Sequence, residues 1–321
     1  MSWPRPTLDG VHAEPETESP AQTPPRLDAD ALRRALTGGV DAPYTTVEVV
    51  DEIGSTNAEL LARAAAGAAD RSVLLAEYQA SGRGRLERPW TAPPRTQVVV
   101  SVLLRPGAVS PTLFGWLPLV TGLAIRDGLR EAGGVDATLK WPNDVLVSGR
   151  KISGILTEMT TVAGAGDFEV RLPAVVVGVG INVSLTEEQL PVPHATSLAL
   201  AGGSVDRDAV ALAVLRALAV RHRQWRECER GSGSVISDEL MASYTQACST
   251  IGSDVRVELP GSVVRTGRAA RIDREGRLVV VPHHGADPGG GGAHGGDPHG
   301  EFAVAAGDVT HVRGTGGRWD G

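Results

Sequence analysis

The stretch KWPNDVLVSGRKISGIL, Lys140 to Leu156, predicts how the strands of this chain are connected. Two apolar runs, 145–147 and 152–159, flank the tripeptide SGR at 148–150, which is typical of a tight turn. Its glycine can adopt the positive φ that such turns require. A hairpin here means that strands are joined directly as well as through helices. The sequence therefore predicts an α/β (α+β) fold class, with a mixed β-sheet flanked by helices.

Other segments carry the patterns of helices and buried strands around this hairpin. Apolar residues at helical spacing, or a capping pattern, predict helices at 28–36, 56–67, 113–131 and 206–228. The second of these is expected to be capped at Thr56. Runs dense in Val and Leu predict buried strands at 73–79, 98–104 and 174–179.

Composition divides the chain into three parts. Residues 1–30 hold six acids, two arginines and six prolines, which predicts a disordered acidic tail. Residues 31–250 are expected to form the main α/β domain, and from 251 to 321 short strands between turn residues predict a small SH3-like β-barrel. A Gly/His-rich loop at 283–300 interrupts this barrel. Its histidines could bind a metal adventitiously, but a flexible insertion is the preferred interpretation.

Charge and composition exclude several classes of protein. The net charge of −7 argues against a general nucleic-acid binder, so no DNA partner is expected. No apolar run reaches the length of a membrane span, and no signal segment begins the chain, which predicts a cytoplasmic protein without a membrane partner. Cys228 and Cys248 lack CxxC spacing and are expected to be reduced thiols.

Only two of the 31 Lys and Arg residues are lysines, and both lie in the hairpin segment: Lys140 and Lys151. A lysine ammonium is a compact point charge, whereas an arginine guanidinium is a planar fork. A chain that otherwise uses arginine indicates that an ammonium is needed at this place. The alternative is that two lysines stayed together by chance, with Lys151 as an ordinary surface residue of the hairpin.

A second basic segment, EYQASGRGRLERPW from Glu77 to Trp90, follows a buried strand. Gly82 and Gly84 allow the backbone to turn and to approach a ligand closely. Arg83 and Arg85 place guanidinium groups on the same loop. Such a loop can fold over an anion and exclude water from it. An ordinary solvated basic turn is the alternative interpretation.

These two segments, with three shorter ones, resemble the biotin protein ligase family. The shorter ones are STN at 55–57, GVGIN at 178–182 and AGDVTHVR at 306–313, and all five follow the family's order. The resemblance covers the chain from about Gly54 to Arg313. It implies a class II synthetase-like catalytic domain with a small SH3-like domain after it. Some members carry an N-terminal DNA-binding domain; residues 1–30 have neither helical periodicity nor basic charge, so the resemblance is to the form without one.

The resemblance implies a two-step ligase reaction that uses ATP and biotin, with Mg²⁺. The biotin carboxylate attacks the α-phosphate of ATP, which gives biotinyl-5′-AMP and pyrophosphate. A lysine of a biotin carboxyl carrier domain, in an acyl-CoA or pyruvate carboxylase, then accepts the biotin. The first step brings one anion against another, so the site must supply fixed positive charge that is shielded from water.

The catalytic residues implied by the resemblance are Lys151, Arg83, Arg85 and Asp144. Lys151 would bridge the biotin carboxylate and the α-phosphate, while the two arginines would hold their oxygens. Asp144 would orient or deprotonate the acceptor lysine. A role for Asp144 as a turn or capping residue is the alternative.

The family match also assigns residues to the two small molecules. Short polar side chains at a helix start can read a ureido group, although Thr56 could simply cap the helix. The expected biotin-binding residues are Ser55, Thr56, Asn57, Gln79, Gly82, Arg83, Gly84, Arg85, Trp90, Lys151, Gly154, Ile155 and Gly180, with Gly178 allowing similar close approach. The expected ATP-binding residues are Arg85, Trp90, Lys140, Trp141, Asn143, Lys151, Asn182 and Arg313. No metal ligand is firmly assigned.

Two other functions stay open at this point. The first is an adenylating enzyme for lipoate or octanoate, against which the GRGR loop and the polar STN segment favour biotin. The second is a sensor of biotin or biotinyl-AMP without catalysis, against which the presence of Lys151 and Arg83 argues. The glycines at 178 and 180 lack the third glycine of a dinucleotide fingerprint, and the chain has no GxxxxGK[ST] motif.

Overall fold

The computed structural model describes residues 23–163, 171–228, 235–259, 263–283, 300–305 and 308–311. Within these ranges the helices are α1 (Ala29–Thr37), α2 (Thr56–Ala65), α3 (Leu117–Gly128), α4 (Arg207–Glu227) and α5 (Asp238–Ala247). The strands are β1 (Thr46–Val50), β2 (Ser72–Ala76), β3 (Gln97–Leu104), β4 (Thr138–Lys140), β5 (Asp144–Val147), β6 (Arg150–Ala163), β7 (Arg171–Asn182), β8 (Asp254–Leu259), β9 (Val263–Ile272), β10 (Leu278–Pro282), β11 (Phe302–Val304) and β12 (Asp308–His311).

Seven strands form one mixed sheet in the order β1-β2-β3-β7-β6-β5-β4. β1 and β2 are parallel, and every other neighbouring pair in this sheet is antiparallel. β5 and β6 form the predicted hairpin, with Ser148 at φ 50° and Gly149 at φ 77° in its turn. The predicted fold class, a mixed sheet flanked by helices, is therefore confirmed.

Alternation of side chains along the strands divides the apolar residues between the two faces of this sheet. On one face, Val175 and Val177 of β7 belong to the main core, to which α1, α3, α4 and α5 also contribute. On the other face, Val176 packs in a small cluster with Leu60 of α2 and Leu103 of β3. A single ten-residue helix covers only part of that second face. The rest of this face is therefore left for a binding site.

One predicted element differs from the structure, and two elements of the structure have no predicted counterpart. The helix predicted at 113–131 begins as a 3₁₀ segment, Pro111–Trp116, continues as α3 and ends in a π-helical turn, Leu129–Gly133. β1 and α5 were not predicted. Both are short, and β1 is a parallel strand whose pairing with β2 depends on residues about 26 positions away.

Five antiparallel strands form a second sheet in the order β11-β10-β9-β8-β12. This arrangement is compatible with the predicted SH3-like domain. Most of the predicted Gly/His-rich loop, residues 284–299, lies outside the described residues.

Residues 1–22 of the predicted acidic tail also lie outside the described residues. The described end of the predicted tail packs against the domain. Leu27 is buried, and its backbone N–H donates to Glu77 Oε1 at 2.6 Å. Glu77 Oε2 in turn pairs with Arg207 Nη2 at 2.7 Å, and both side chains are almost fully buried. Glu77, which directly follows β2, thus links the start of the described chain to α4.

Cys228 and Cys248 are both buried and form no disulfide. In the part of the chain that the structure describes, no helix combines the length and the apolar character needed to span a membrane.

Candidate active site

The floor of the site is a strip of glycines on β6 and β7. Gly180 is paired with Gly154 on β6 and with Val99 on β3, and Gly178 is paired with Leu156. Because strand residues alternate, these positions share the face that α2 partly covers. A Cβ at Gly178 would overlap the side chain of Asn57, and one at Gly180 would overlap Trp90. Glycines are therefore required where these two side chains approach the sheet.

A cavity of about 440 Å³ lies over this floor, a size suited to a small organic molecule. The structure brings together most of the predicted site residues around it. The lining includes Ser55, Thr56, Asn57, Gln79, Arg83, Gly84, Arg85, Trp90, Asn143, Asp144, Lys151, Gly154, Ile155, Gly178, Gly180 and Asn182.

The start of α2 supplies polar groups at one end of the cavity. Thr56 donates from its backbone N–H and its hydroxyl to Gln79 Oε1, at 2.8 and 3.0 Å, which fixes the amide of Gln79. Ser101 Oγ lies 2.7 Å from Thr56 Oγ1 and 2.6 Å from Asn57 Oδ1. Thr56, Asn57, Gln79 and Ser101 are all buried, so this end is a preformed polar network.

The predicted cap of this helix is wrong by one residue. Ser55 is the N-cap, and its Oγ accepts from the backbone N–H of Ala58 at 3.4 Å. Thr56 is the first helical residue, and its hydroxyl bonds to Gln79 instead. Asn57, which we expected to be available to a ligand, donates to Glu158 Oε2 at 2.8 Å and to the carbonyl of Leu156.

The arginine loop, residues 82–90, is a short hairpin. Gly84 N–H donates to the carbonyl of Arg88 at 2.7 Å, and Trp90 N–H donates to the carbonyl of Gly82 at 2.8 Å. Leu86 and Glu87 at its tip both have φ of 56°, as a type I′ turn requires. The loop is thus an ordered arm whose side chains line the cavity.

Each of the two predicted arginines has an identified partner. Arg83 Nη1 lies 3.2 Å from Glu87 Oε2 within the loop, and its Nη2 lies 3.7 Å from Glu158 Oε1 on β6. Arg85 Nη1 donates to Asn143 Oδ1 at 3.1 Å, which spans the cavity from the loop to the turn between β4 and β5. The arginine loop therefore contacts both the floor strand and the opposite wall.

Trp90 lies over the glycine floor. Its ring contacts the positions of Gly154 and Gly180, and the ammonium of Lys151 lies 5.5 Å from the ring centroid, within cation–π range. Its Nε1–H is buried and has no hydrogen-bond acceptor among the described residues. The indole therefore packs against the cationic group, and its Nε1 lies against the floor at Gly180.

A β-bulge turns Lys151 towards the cavity. On β6, Ser153 is opposite Val145 and Lys151 is opposite Leu146, so Ile152 is an extra residue in the ladder. Ile152 is buried in the main core, whereas Lys151 lines the cavity together with Gly154. Without the extra residue, alternation would place Ile152 on the cavity face and Lys151 on the core face.

Lys151 is held at both its side chain and its backbone. Its Nζ lies 2.6 Å from Asp144 Oδ1, and both side chains are mostly buried. Its N–H donates to the carbonyl of His194 at 2.7 Å, and its carbonyl accepts from Thr196 N–H at 2.8 Å. The ammonium therefore has a defined position in the cavity wall.

Some residues of the site were not predicted. The segment 191–195 forms a wall of the cavity, and Glu158 and Ser101 fix the polar network around Asn57. The 191–195 segment has no motif that distinguishes it from an ordinary loop. Glu158, however, follows the motif RKxxGIL on β6. It alternates with Gly154 and Leu156, so its place on the cavity face could have been predicted.

Three predicted ligand-binding residues, Gly82, Lys140 and Trp141, do not line the cavity, and a fourth cannot be placed. Gly82 lies behind the lining, where its Cβ position faces the carbonyl of Trp90. Lys140 ends β4, outside the lining. Trp141 is buried at 2% exposure, and its Nε1 donates to the carbonyl of Gly276, so its ring has no surface to offer a nucleotide. Arg313 lies outside the described residues.

The cavity residues that the structure describes do not fit a protein site for Mg²⁺. No group of three or more His, Cys, Asp or Glu among the described residues could hold a metal ion. Asp144, the carboxylate that lines the cavity, is already paired with Lys151. Asn143 is bonded to Arg85 and to the carbonyl of Ile155.

A polar helix start, an arginine loop and a half-buried lysine around a glycine floor define a site for an anionic small molecule. Comparison with known proteins agrees with this class of site. Residues 51–182 match the model of the Biotin/lipoate A/B protein ligase family. A biotin–acetyl-CoA-carboxylase ligase from Mycobacterium tuberculosis is 41% identical over 294 residues, which are 90% of this chain and 97% of that relative. The chain belongs to this family of biotin protein ligases.

Two further matches extend the comparison. The bifunctional ligase/repressor BirA of Bacillus subtilis is 32% identical over 240 residues, 73% of this chain and 69% of that protein. Among solved structures, the biotin protein ligase from Aquifex aeolicus in complex with biotin and ATP superposes with a TM-score of 0.62. That match covers 84% of this chain and all of the other at 24% identity, and it shows the shared fold.

Proposed function

We propose that this protein is a biotin protein ligase. It activates biotin with ATP to form biotinyl-5′-AMP, and it transfers the biotin to a lysine of a biotin carboxyl carrier domain. The observation that carries the proposal is the convergence of Lys151, Arg83 and Arg85 on one cavity whose other end is the polar network at Thr56 and Gln79. Family membership supports the same conclusion.

The cations of the cavity address the electrostatic obstacle of the first step. A carboxylate and a phosphate about 4 Å apart repel each other by about 4 kcal/mol at an effective dielectric constant of about 20. A single ammonium between them attracts both and reverses the sign of the interaction. Lys151 is suited to this role because its position is fixed by Asp144 and by its backbone bonds to the 194–196 segment.

In this step a biotin carboxylate oxygen forms a bond to the α-phosphorus, and the bond from that phosphorus to the bridging oxygen breaks. Pyrophosphate leaves with the electron pair of the broken bond. Arg85 would hold phosphate oxygens from the loop side, and Asn143 opposite would keep its guanidinium in place. No step is assigned to a protein-bound metal, and Mg²⁺ would be held by the nucleotide's own phosphates.

In the second step the amine of the acceptor lysine attacks the acyl carbon of the mixed anhydride, and AMP leaves. The incoming ammonium must first lose a proton. Asp144 is the proposed acceptor of that proton, or the group that orients the amine, because it lies in the cavity wall beside Lys151.

The carrier domain of a biotin-dependent carboxylase is the proposed partner, and no DNA partner is included. A cytoplasmic location is also part of the proposal. It agrees with two buried cysteines that form no disulfide.

ATP–pyrophosphate exchange with the purified chain tests the proposed function. Labelled pyrophosphate should enter ATP when biotin is added, and lipoate or octanoate should support much less exchange. Exchange that depends on lipoate and not on biotin would overturn the proposal in favour of the second candidate substrate. Absence of exchange with every acid would overturn ligase activity itself.

A further inference from the structure

The turn between β9 and β10 docks against two buried tryptophans of the larger sheet's domain. Trp116 Nε1 donates to the carbonyl of Arg274 at 2.9 Å, and Trp141 Nε1 donates to the carbonyl of Gly276 at 3.0 Å. Both indoles are buried, at 0% and 2% exposure. Gly276, at φ 83°, also packs directly on the backbone of Gly115. The second sheet is therefore held to the first by a close backbone fit with two indole N–H donors.

Trp141 has a further anchor that Trp116 lacks. Its backbone N–H donates to Thr250 Oγ1 at 3.0 Å, and Thr250 Oγ1 lies 3.1 Å from His311 Nε2 on β12. The end of β4 is thus fixed both to the segment before β8 and to the last described strand. Trp141 is held by the second sheet through its side chain and, by way of Thr250, through its backbone.

The residues that follow Trp141 enter the catalytic cavity. Asn143 exchanges hydrogen bonds with the backbone of Ile155, at 3.0 and 2.9 Å, and accepts from Arg85 Nη1 at 3.1 Å. Asp144, the next residue, pairs with Lys151 at 2.6 Å. Four residues, 141–144, therefore connect the docked turn to Arg85 and Lys151, two of the three cationic groups assigned to the reaction.

We propose that Trp141 is a positioning residue for the adenylation step. By holding the carbonyl of Gly276, it sets the position of the 141–144 segment, and through Asn143 and Asp144 it sets the positions of Arg85 and Lys151. The inference rests on the proposed function. In this role the second sheet helps to arrange the cavity, although none of its described residues lines it.

Trp116 provides a matched control. It makes the same kind of bond to the same turn and is equally buried, but it leads into α3, whose residues pack in the main core on the far side of the sheet. If Trp141 had only a structural role, replacing either tryptophan should affect exchange activity equally. A positioning role separates them, because only Trp141 is followed directly by residues of the cavity.

The test compares Trp141→Phe and Trp116→Phe in the full chain. Each variant keeps an aromatic ring and loses one indole N–H, so both should lower Tm by similar amounts. In biotin-dependent ATP–pyrophosphate exchange, Trp141→Phe should lower kcat/KM for ATP about tenfold, because small displacements of catalytic groups are costly. Trp116→Phe should stay within about twofold of the wild type. Equal effects of the two substitutions on exchange would overturn the proposal.

A double-mutant cycle gives a second readout that does not depend on the reaction. If Trp141 acts through the 141–144 segment, Trp141→Phe and Asn143→Ala should be non-additive in free energy of unfolding, whereas Trp116→Phe and Asn143→Ala should add. Additivity in both pairs would contradict the inference. If Trp141→Phe does not fold, Thr250→Val replaces it, because that change removes the acceptor of Trp141 N–H with little change in shape.

Failure of the proposed function can be distinguished from failure of the positioning role. A wild-type protein without biotin-dependent exchange overturns the proposed function, and the unfolding cycle still decides whether Trp141 is coupled to the cavity wall. Normal wild-type exchange with equivalent tryptophan variants overturns only the positioning role.

Discussion

Lys151 Nζ lies 2.6 Å from Asp144 Oδ1, across the antiparallel hairpin of β5 and β6. The pair joins the cation assigned to adenylation with the carboxylate assigned to transfer. Each group keeps the other in the cavity wall, and both lie beside the glycine floor. The two half-reactions would therefore use neighbouring groups of one hairpin.

Substitutions of Asp144 should separate the two half-reactions. Asp144→Ala is expected to impair transfer to the carrier lysine more than adenylation, because the proton acceptor is lost from the second step. Asp144→Asn keeps an oxygen that can accept from Lys151, so its adenylation defect should be smaller than that of Asp144→Ala while its transfer defect stays large. Single-turnover formation and discharge of biotinyl-AMP would measure both steps. Equal loss in both steps for both variants would refute the assignment.

Arg85 should retain the reactive intermediate. Its bond to Asn143 connects the arginine loop to the opposite wall, so Arg85→Gly is expected to let biotinyl-AMP escape into solution. The measurement is the fraction of adenylate that passes an ultrafiltration membrane during turnover. Arg150→Ala is the matched control, because Arg150 pairs with Glu187 outside the cavity lining. Equal retention by both variants would show that the loop does not close the site.

Glu158 should affect biotin binding through Asn57 more than through Arg83. Its oxygen accepts from Asn57 at 2.8 Å, whereas the contact to Arg83 is 3.7 Å, longer than a hydrogen bond. Glu158→Ala should therefore raise KM for biotin about tenfold. Glu158→Gln, which keeps an acceptor for Asn57, should raise it by about twofold or less. Equal effects in the two variants would mean that the charge facing Arg83 dominates.

Stability should fall at acidic pH in part because of His222. Burial between α3 and α4, with a smaller contribution from nearby Arg226, lowers the pKa of His222 to about 3. The unfolded chain takes up this proton below about pH 6.5, and the folded protein does not until about pH 3. Unfolding is therefore favoured progressively as pH falls through that window, by up to about 1.4 kcal/mol per pH unit.

The variant His222→Gln isolates this contribution. Urea unfolding at pH 7 and pH 5 should show that the wild type loses about 2 kcal/mol more than the variant between the two conditions. The control is the variant's own stability at pH 7, which accounts for the changed packing. An identical loss in both proteins would show that His222 does not titrate on unfolding.

Much of the fold and site could be predicted because the deciding signals are local. The turn at Gly149, the paired glycines and the GRGR loop lie within short motifs, and the periodicity of the apolar runs indicates their secondary structure. Position along β7 then decides which of its residues face the cavity, whereas on β6 the bulge at Ile152 turns Lys151 to that face. The wall formed by 191–195 has no such pattern, because its place depends on a backbone pairing with Lys151.

The errors have equally specific causes. Ser55 and Thr56 both satisfy the chemistry of an N-cap, and only the contact with Gln79 shows which one has another partner. The prediction that Trp141 binds ATP rests on its place in the KWPND motif, beside Asn143 and Asp144 of the cavity. Its bond to Gly276, which is 135 residues away, is a tertiary contact that no local pattern indicates.

The most direct measurement is biotin-dependent ATP–pyrophosphate exchange by Lys151→Ala, beside Lys151→Arg and the surface control Arg150→Ala. The first variant should fold and lose exchange, because Lys151 is the group proposed to bridge the two anions. Lys151→Arg should also lose most of its activity, since a planar guanidinium cannot replace a point charge in a fixed space. Near-normal exchange by folded Lys151→Ala would contradict the central claim that this ammonium neutralises both reactants.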